Sequence, residues 1–215
     1  MAHHLHRFMA SLLALAALLQ ANEALEFDVF NKVPSTPGGV QFDKEIGIPF
    51  TKRLMEKQQN SYGTCWRQMA RRIGRTDVEV VHMVIDNYDG YVAITYIGAC
   101  TTNVSAVFLN GDYGDNIKWS FTSLIYHEMT HIWQWYPPMT PTGLIEDIAD
   151  YTALKAKYYK PEFFARPGSG KRWDQGYSIT ARFLEYCDGL KPGFVAAMNR
   201  KMRDTWSLNY FVELV

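Results

Sequence analysis

From Leu25 to Val33 the chain reads LEFDVFNKV, apolar and polar side chains alternating with the period of a strand. The turn formers of PSTPGG, Pro34 to Gly39, break that period. Pro49 opens PFTKRLMEKQQ, and Cys65 to Ile73, CWRQMARRI, follows; both predict helices with basic outer faces. Between Val78 and Leu109 the pattern becomes β-like. VEVVHMVID is dense in β-branched residues, YDG turns the chain, YVAITYIGA continues, and NVSAVFLN is a third short run before GDYGDN. The second half is helical. One helix, capped by Ser120 or Ser123, carries Leu124 and Ile125 through His131 and stops before Pro137-Pro138. A second follows Thr142 through GLIEDIADYTALKAKYY to Pro161, ARPGSGK forms a loop, and DQGYSITARFLEYCDGL and GFVAAMNRKM give two more. A sheet-rich half followed by a helical half predicts an α+β fold.

Before the first strand, MAHHLHR leads into an apolar run from Phe8 to Leu19, too short to span a bilayer. The small residues of QANEA then suit cleavage after Ala21 or Ala24, so residues 1–24 are expected to be a secretory signal and 25–215 one exported domain. With few residues between signal and first strand, no propeptide is expected. Lys+Arg and Asp+Glu number 22 each in the full chain. Removing Arg7 and Glu23 with the signal keeps that balance, which excludes a broad basic field for nucleic acid or an anionic membrane. Arg67, Arg71, Arg72 and Arg75 therefore read as a solvated helix face. No other apolar run is long enough for a membrane span, and a monomer is expected. Export makes an oxidised pair out of the three cysteines plausible chemistry: Cys65 with Cys100 is expected, leaving Cys187 inside a helix. It also makes the NVS sequon at Asn103 a candidate glycosylation site.

Without the signal, three histidines remain: His82, His127 and His131. His82 lies in a strand pattern and reads as a packed sheet residue. His127 and His131 frame HEMTH, and four-residue spacing on a helix stacks them on one face, one turn apart. Two imidazoles so placed can reach one zinc ion, while Glu128, about 100° round the helix, lies beside it as general base for a metal-activated water. A third ligand is needed, and no histidine follows His131. GLIEDIADY offers Glu146 as ligand, with Asp150 one turn on to accept a histidine N–H; Asp150 is the alternative third ligand. Ala149 and Ala153 are small enough for this helix to approach the first. Gln134, three residues after His131, is expected to support the ligands from behind. Tyr177 is a candidate oxyanion donor. Trp133 and Trp135 read as core aromatics rather than a carbohydrate platform.

HEMTHIWQW, PTGLIEDIADY and RWDQGYSITARFLEYCDGLKPGFVAAMNRKM, with STPGGVQFDKEIGI and the closing FVELV, resemble the plant and microbial basic secretory proteins, peptidase-like zincins linked to plant defence. The resemblance covers essentially all of the chain beyond the signal; the family pattern has Gly where this chain has Asp147. It implies a zincin-like fold, a twisted N-terminal sheet packed on the active-site helix with a helical C-terminal lobe. It also implies zinc held by His127, His131 and Glu146. The function expected is a secreted zinc metallopeptidase that hydrolyses peptide or protein substrates, the chain lying along the sheet edge. Two rivals are a non-catalytic, defence-related binding protein on the same fold and a carbohydrate binder using its tryptophans.

Overall fold

The computed structural model describes residues 25–61, 78–96, 99–111, 116–162 and 164–214. The expected signal, Cys65 with its proposed bridge to Cys100, and the arginines from Arg67 to Arg75 lie outside them.

Strand β1 (Glu26–Asn31) is followed by helix α1 (Pro37–Gln41), which continues as a π-helical turn over Phe42–Ile46, and by α2 (Ile48–Ser61). Strands β2 (Val80–Asp86), β3 (Ala93–Tyr96) and β4 (Thr101–Ser105) complete a four-stranded sheet in the order β1-β2-β4-β3. β1, β2 and β4 are parallel, and β3 runs antiparallel to β4 as an edge strand, with Thr95 opposite Thr102. The helices α3 (Ala106–Leu109), α4 (Ile117–Trp133), α5 (Thr142–Lys155), α6 (Tyr177–Leu190), α7 (Phe194–Lys201) and α8 (Tyr210–Glu213) follow. The fold is thus mixed α+β, as the patterning predicts. No helix among the described residues is long and apolar enough to cross a membrane.

Three boundaries differ from the sequence expectation, each for a local reason. PSTPGG is not only a breaker. Thr36 caps α1 by accepting the Gly39 N–H (3.2 Å), and Pro37 starts the helix where no N–H is needed. Both glycines are required by packing: a Cβ on Gly38 would sit 1.7 Å from the Ala106 carbonyl oxygen, and one on Gly39 1.9 Å from that of Val33. NVSAVFLN is not one strand, because the Ser105 hydroxyl accepts the N–H groups of Val107 and Phe108 and turns the chain into α3. α4 begins at Ile117, so Ser120 and Ser123 lie inside it rather than capping it. Ser123 instead donates to the Tyr158 carbonyl (2.7 Å).

α4 is the central element. Phe121, Ile125, Met129 and Ile132 lie along it and are fully buried in the core with Val81, Met83 and Ile85 of β2 and Val104 of β4. Each such burial contributes roughly 1.5–3 kcal/mol. α4 touches α2, β3, β4 and α5, and α5 packs in turn on α6. Ala149 and Ala153 of α5 are buried, and the hydroxyls of Thr130 and Thr152 meet across the α4–α5 contact at 2.6 Å. α5 ends in a left-handed turn at Lys157 (φ 63°), the Tyr158 N–H returning to the Ala153 carbonyl and that of Lys157 to Leu154. α4 ends at Trp133, ahead of the two prolines. There Asn199 of α7 donates to the Trp133 carbonyl (3.1 Å) and accepts the Trp135 N–H (2.9 Å), closing the helix from the C-terminal lobe.

Candidate active site

The close α4–α5 seam brings the chemistry together. His127 and His131 stand one turn apart on α4, their rings edge to face (82°) with centroids 4.9 Å apart. Their Nε2 atoms are 3.2 Å from each other. The Oε2 of Glu146, in the first turns of α5, lies 3.2 Å from the first and 3.6 Å from the second. Neighbouring donors in a tetrahedral zinc site with bonds of roughly 2.0–2.1 Å stand about 3.3 Å apart. Two imidazole nitrogens and a carboxylate oxygen at these separations are a donor set that can hold such an ion.

Behind the donors, each ring is fixed by its other nitrogen. His127 Nδ1–H donates to Asp150 Oδ1 at 2.9 Å. His131 Nδ1–H donates to Gln134 Oε1 at 2.6 Å. Gln134, fully buried, is oriented by its own Nε2, which donates to the Ile145 carbonyl (2.8 Å), so its oxygen must face the ring. Both rings thereby carry a proton on Nδ1 and turn Nε2 towards Glu146. Glu128 is buried beside them, and Thr95 of β3 donates to its Oε2 at 2.6 Å.

The electrostatics follow from this geometry. Burial opposes charge on His127, but its hydrogen bonds to Asp150 and Glu146, with the nearby Glu128 carboxylate, win and push its pKa up to about 10. Hydrogen bonds from His127 and His131 hold the Glu146 carboxyl far below the usual carboxylate range despite partial burial. Asp147 faces the α6 side. Burial raises it to about 7, the Thr180 hydroxyl opposes the rise, the charges of Asp150 and Glu146 add to it, and the Tyr177 N–H opposes it.

The residues singled out in sequence are therefore distributed unevenly. His127, His131, Glu146, Asp150, Gln134 and Glu128 are brought together. Tyr177 is the first residue of α6, 77% exposed, at a left-handed φ of 49° after Gly176 (φ 85°). Its hydroxyl has no hydrogen-bond partner among the described residues. His82 sits half-exposed on β2, Nδ1 3.8 Å from Asp28, away from the donor cluster. Asn103 is half-buried on the interior strand β4, its carbonyl accepting from the Tyr88 hydroxyl (2.7 Å). Trp133 is buried and Trp135 half-buried against the core, so these two form no exposed platform. Sequence reasoning passed over Thr95 and Thr102. Nothing local marks two threonines in separate strands, and only sheet register brings them beside α4.

Comparison with known proteins gives the chain a family. A family model described as "Peptidase of plants and bacteria" matches residues 22–215. The chain is 50% identical over 36 residues to a "Basic secretory protease" from Boswellia serrata, a match covering 16% of this chain and 56% of that protein. The chain thus spans a little over half the length of that relative. No solved structure matches. With the family model spanning nearly the whole chain, this protein belongs to the family of peptidases of plants and bacteria.

Proposed function

We propose that this protein is a secreted, zinc-dependent peptidase, with His127, His131 and Glu146 as the metal ligands, on a zincin-like fold. The observation that carries the reading is the meeting of two Nε2 atoms and one carboxylate oxygen within 4.8 Å of one another, beside the buried Glu128. The family description and the word "secretory" in the relative's name support a peptidase acting outside the cell. Zinc in such a site supplies Lewis-acid polarisation of the scissile carbonyl and acidifies water.

The chain's own residues supply the rest. Asp150 and Gln134 keep both histidines in the tautomer that presents Nε2. Glu128, its Oε2 occupied by Thr95, uses Oε1 to take the proton of the attacking water and then passes it to the leaving amine nitrogen. Tyr177, exposed at the start of α6 with no hydroxyl partner among the described residues, is the oxyanion donor in this reading. An extended peptide pairs with the edge strand β3. Residues 1–24 direct export, and 25–215 form the peptidase domain.

The test is digestion of a mixed peptide library with and without chelator, with Glu128→Gln as control. Cleavage that chelator stops and zinc restores, and that the control lacks, is expected. Cleavage indifferent to chelator contradicts the zinc mechanism. Bound zinc without cleavage of any peptide would leave a binding protein on the same site.

A further inference from the structure

One residue of the edge strand touches both halves of the proposed reaction. Thr95 donates its hydroxyl to Glu128 Oε2 at 2.6 Å and stands 2.9 Å from the hydroxyl of Thr102. A hydroxyl has one proton to give. With Thr95 committed to the carboxylate, Thr102 must donate to Thr95, and the chain runs Thr102 to Thr95 to Glu128. Thr102 is fully buried on β4, so its end of the chain is fixed.

The backbone of Thr95 points elsewhere. The Ser105 N–H bonds the Val92 carbonyl (3.0 Å), which makes that pair a hydrogen-bonded one in the β3–β4 ladder. Antiparallel pairs alternate, so positions 94 and 96 turn their N–H and C=O to β4, while 93 and 95 turn theirs to the open edge. The Thr95–Thr102 pair is accordingly of the closer, non-hydrogen-bonded kind, in keeping with hydroxyls in contact.

Resting on the peptidase reading above, we propose that Thr95 is the positioning residue that couples substrate to base. Its backbone N–H and C=O pair with the bound peptide, and its hydroxyl holds Glu128 with one oxygen free for water. Registering the peptide on Thr95 thus sets the scissile bond against the residue that aims the carboxylate. Ala93, two residues before it, also turns its backbone to the open edge but has no hydroxyl to hold the base.

Steady-state kinetics on zinc-loaded enzyme test both halves. Thr95→Val keeps shape and backbone and removes the hydroxyl. It should lower kcat about 10- to 100-fold, the range for losing a hydrogen bond to an ionised group, with KM and zinc content little changed. Thr95→Ser should restore most of that loss, which a purely structural role would not allow. Equal losses in both variants, or a wild-type kcat in Thr95→Val, overturn the coupling. Glu128→Gln separates the two failures. An inactive Glu128→Gln beside a fully active Thr95→Val sinks only the role of Thr95, whereas an active Glu128→Gln sinks the peptidase mechanism itself. For the backbone half, substrates methylated at single amide nitrogens should show raised KM at the position facing Thr95. An unchanged KM at every position overturns it.

Discussion

Among the described residues two histidines stand beside an aspartate, and their surroundings differ. His82 lies on β2 with its Nδ1 3.8 Å from Asp28, which also faces Lys52 at 3.7 Å. The His82 side chain is 39% exposed, so water screens the contact. His127 lies on α4 with its Nδ1 2.9 Å from Asp150, at 21% exposure, and its other nitrogen faces Glu146 and His131. The difference is architectural. A strand sends neighbouring side chains to opposite faces, so His82 gains partners only by chance of register. A helix stacks positions four apart, and the packing of α4 on α5 gathers His127, His131, Glu146 and Asp150. Both nitrogens of His127 have partners at the α4–α5 seam, whereas His82 has a single distant acid.

The largest difference should come from removing each histidine in turn. His127→Ala should abolish zinc retention on dialysis and with it peptide hydrolysis, while His82→Ala should leave both within about twofold, as for substitutions away from any special contact. Next in size is Glu128→Gln, expected to lower kcat by about 10²- to 10⁴-fold while zinc content stays at the wild-type level. The aspartates follow. Asp150→Asn should weaken zinc affinity roughly 10- to 100-fold in a competition titration with a coloured chelator. Asp28→Asn should not move it.

A further effect concerns protons. Asp150 and Glu146 raise His127 to about 10 from an ordinary value of 6.5. In chelator-treated protein the stability this gives is fully present below pH 6.5 and lost as pH rises through about 10. Thermal melts across that window should show the decline, and Asp150→Asn should flatten it. Zinc competes with the same proton, so its apparent affinity should move the opposite way, strengthening as pH rises, with a proton released on binding at pH 8. Calorimetry in buffers of different ionisation heat measures that release.

Much of the site was legible because its parts are local. Four-residue spacing marks His127 with His131 and Glu146 with Asp150. The strands were legible from β-branched density, and β2 covers most of VEVVHMVID. What escaped depends on contacts distant in sequence. The helix hidden in PSTPGG exists because Gly38 meets Ala106 and Gly39 meets Val33. The end of β4 is set by a hydroxyl cap at Ser105 that a strand pattern does not reveal. Thr95 reaches Glu128 across 33 positions, and Asn199 reaches Trp133 across 66. Local periodicity predicts which face a residue occupies; it does not predict which partner waits there.

If His127, His131 and Glu146 hold one zinc ion, removing the two histidines removes the metal. Metal content of the purified protein, measured beside a His127→Ala/His131→Ala variant that remains folded by circular dichroism, tests it most directly. About one zinc per chain is expected in the first and none in the second. No zinc in the wild-type protein, or equal zinc in both, would contradict it.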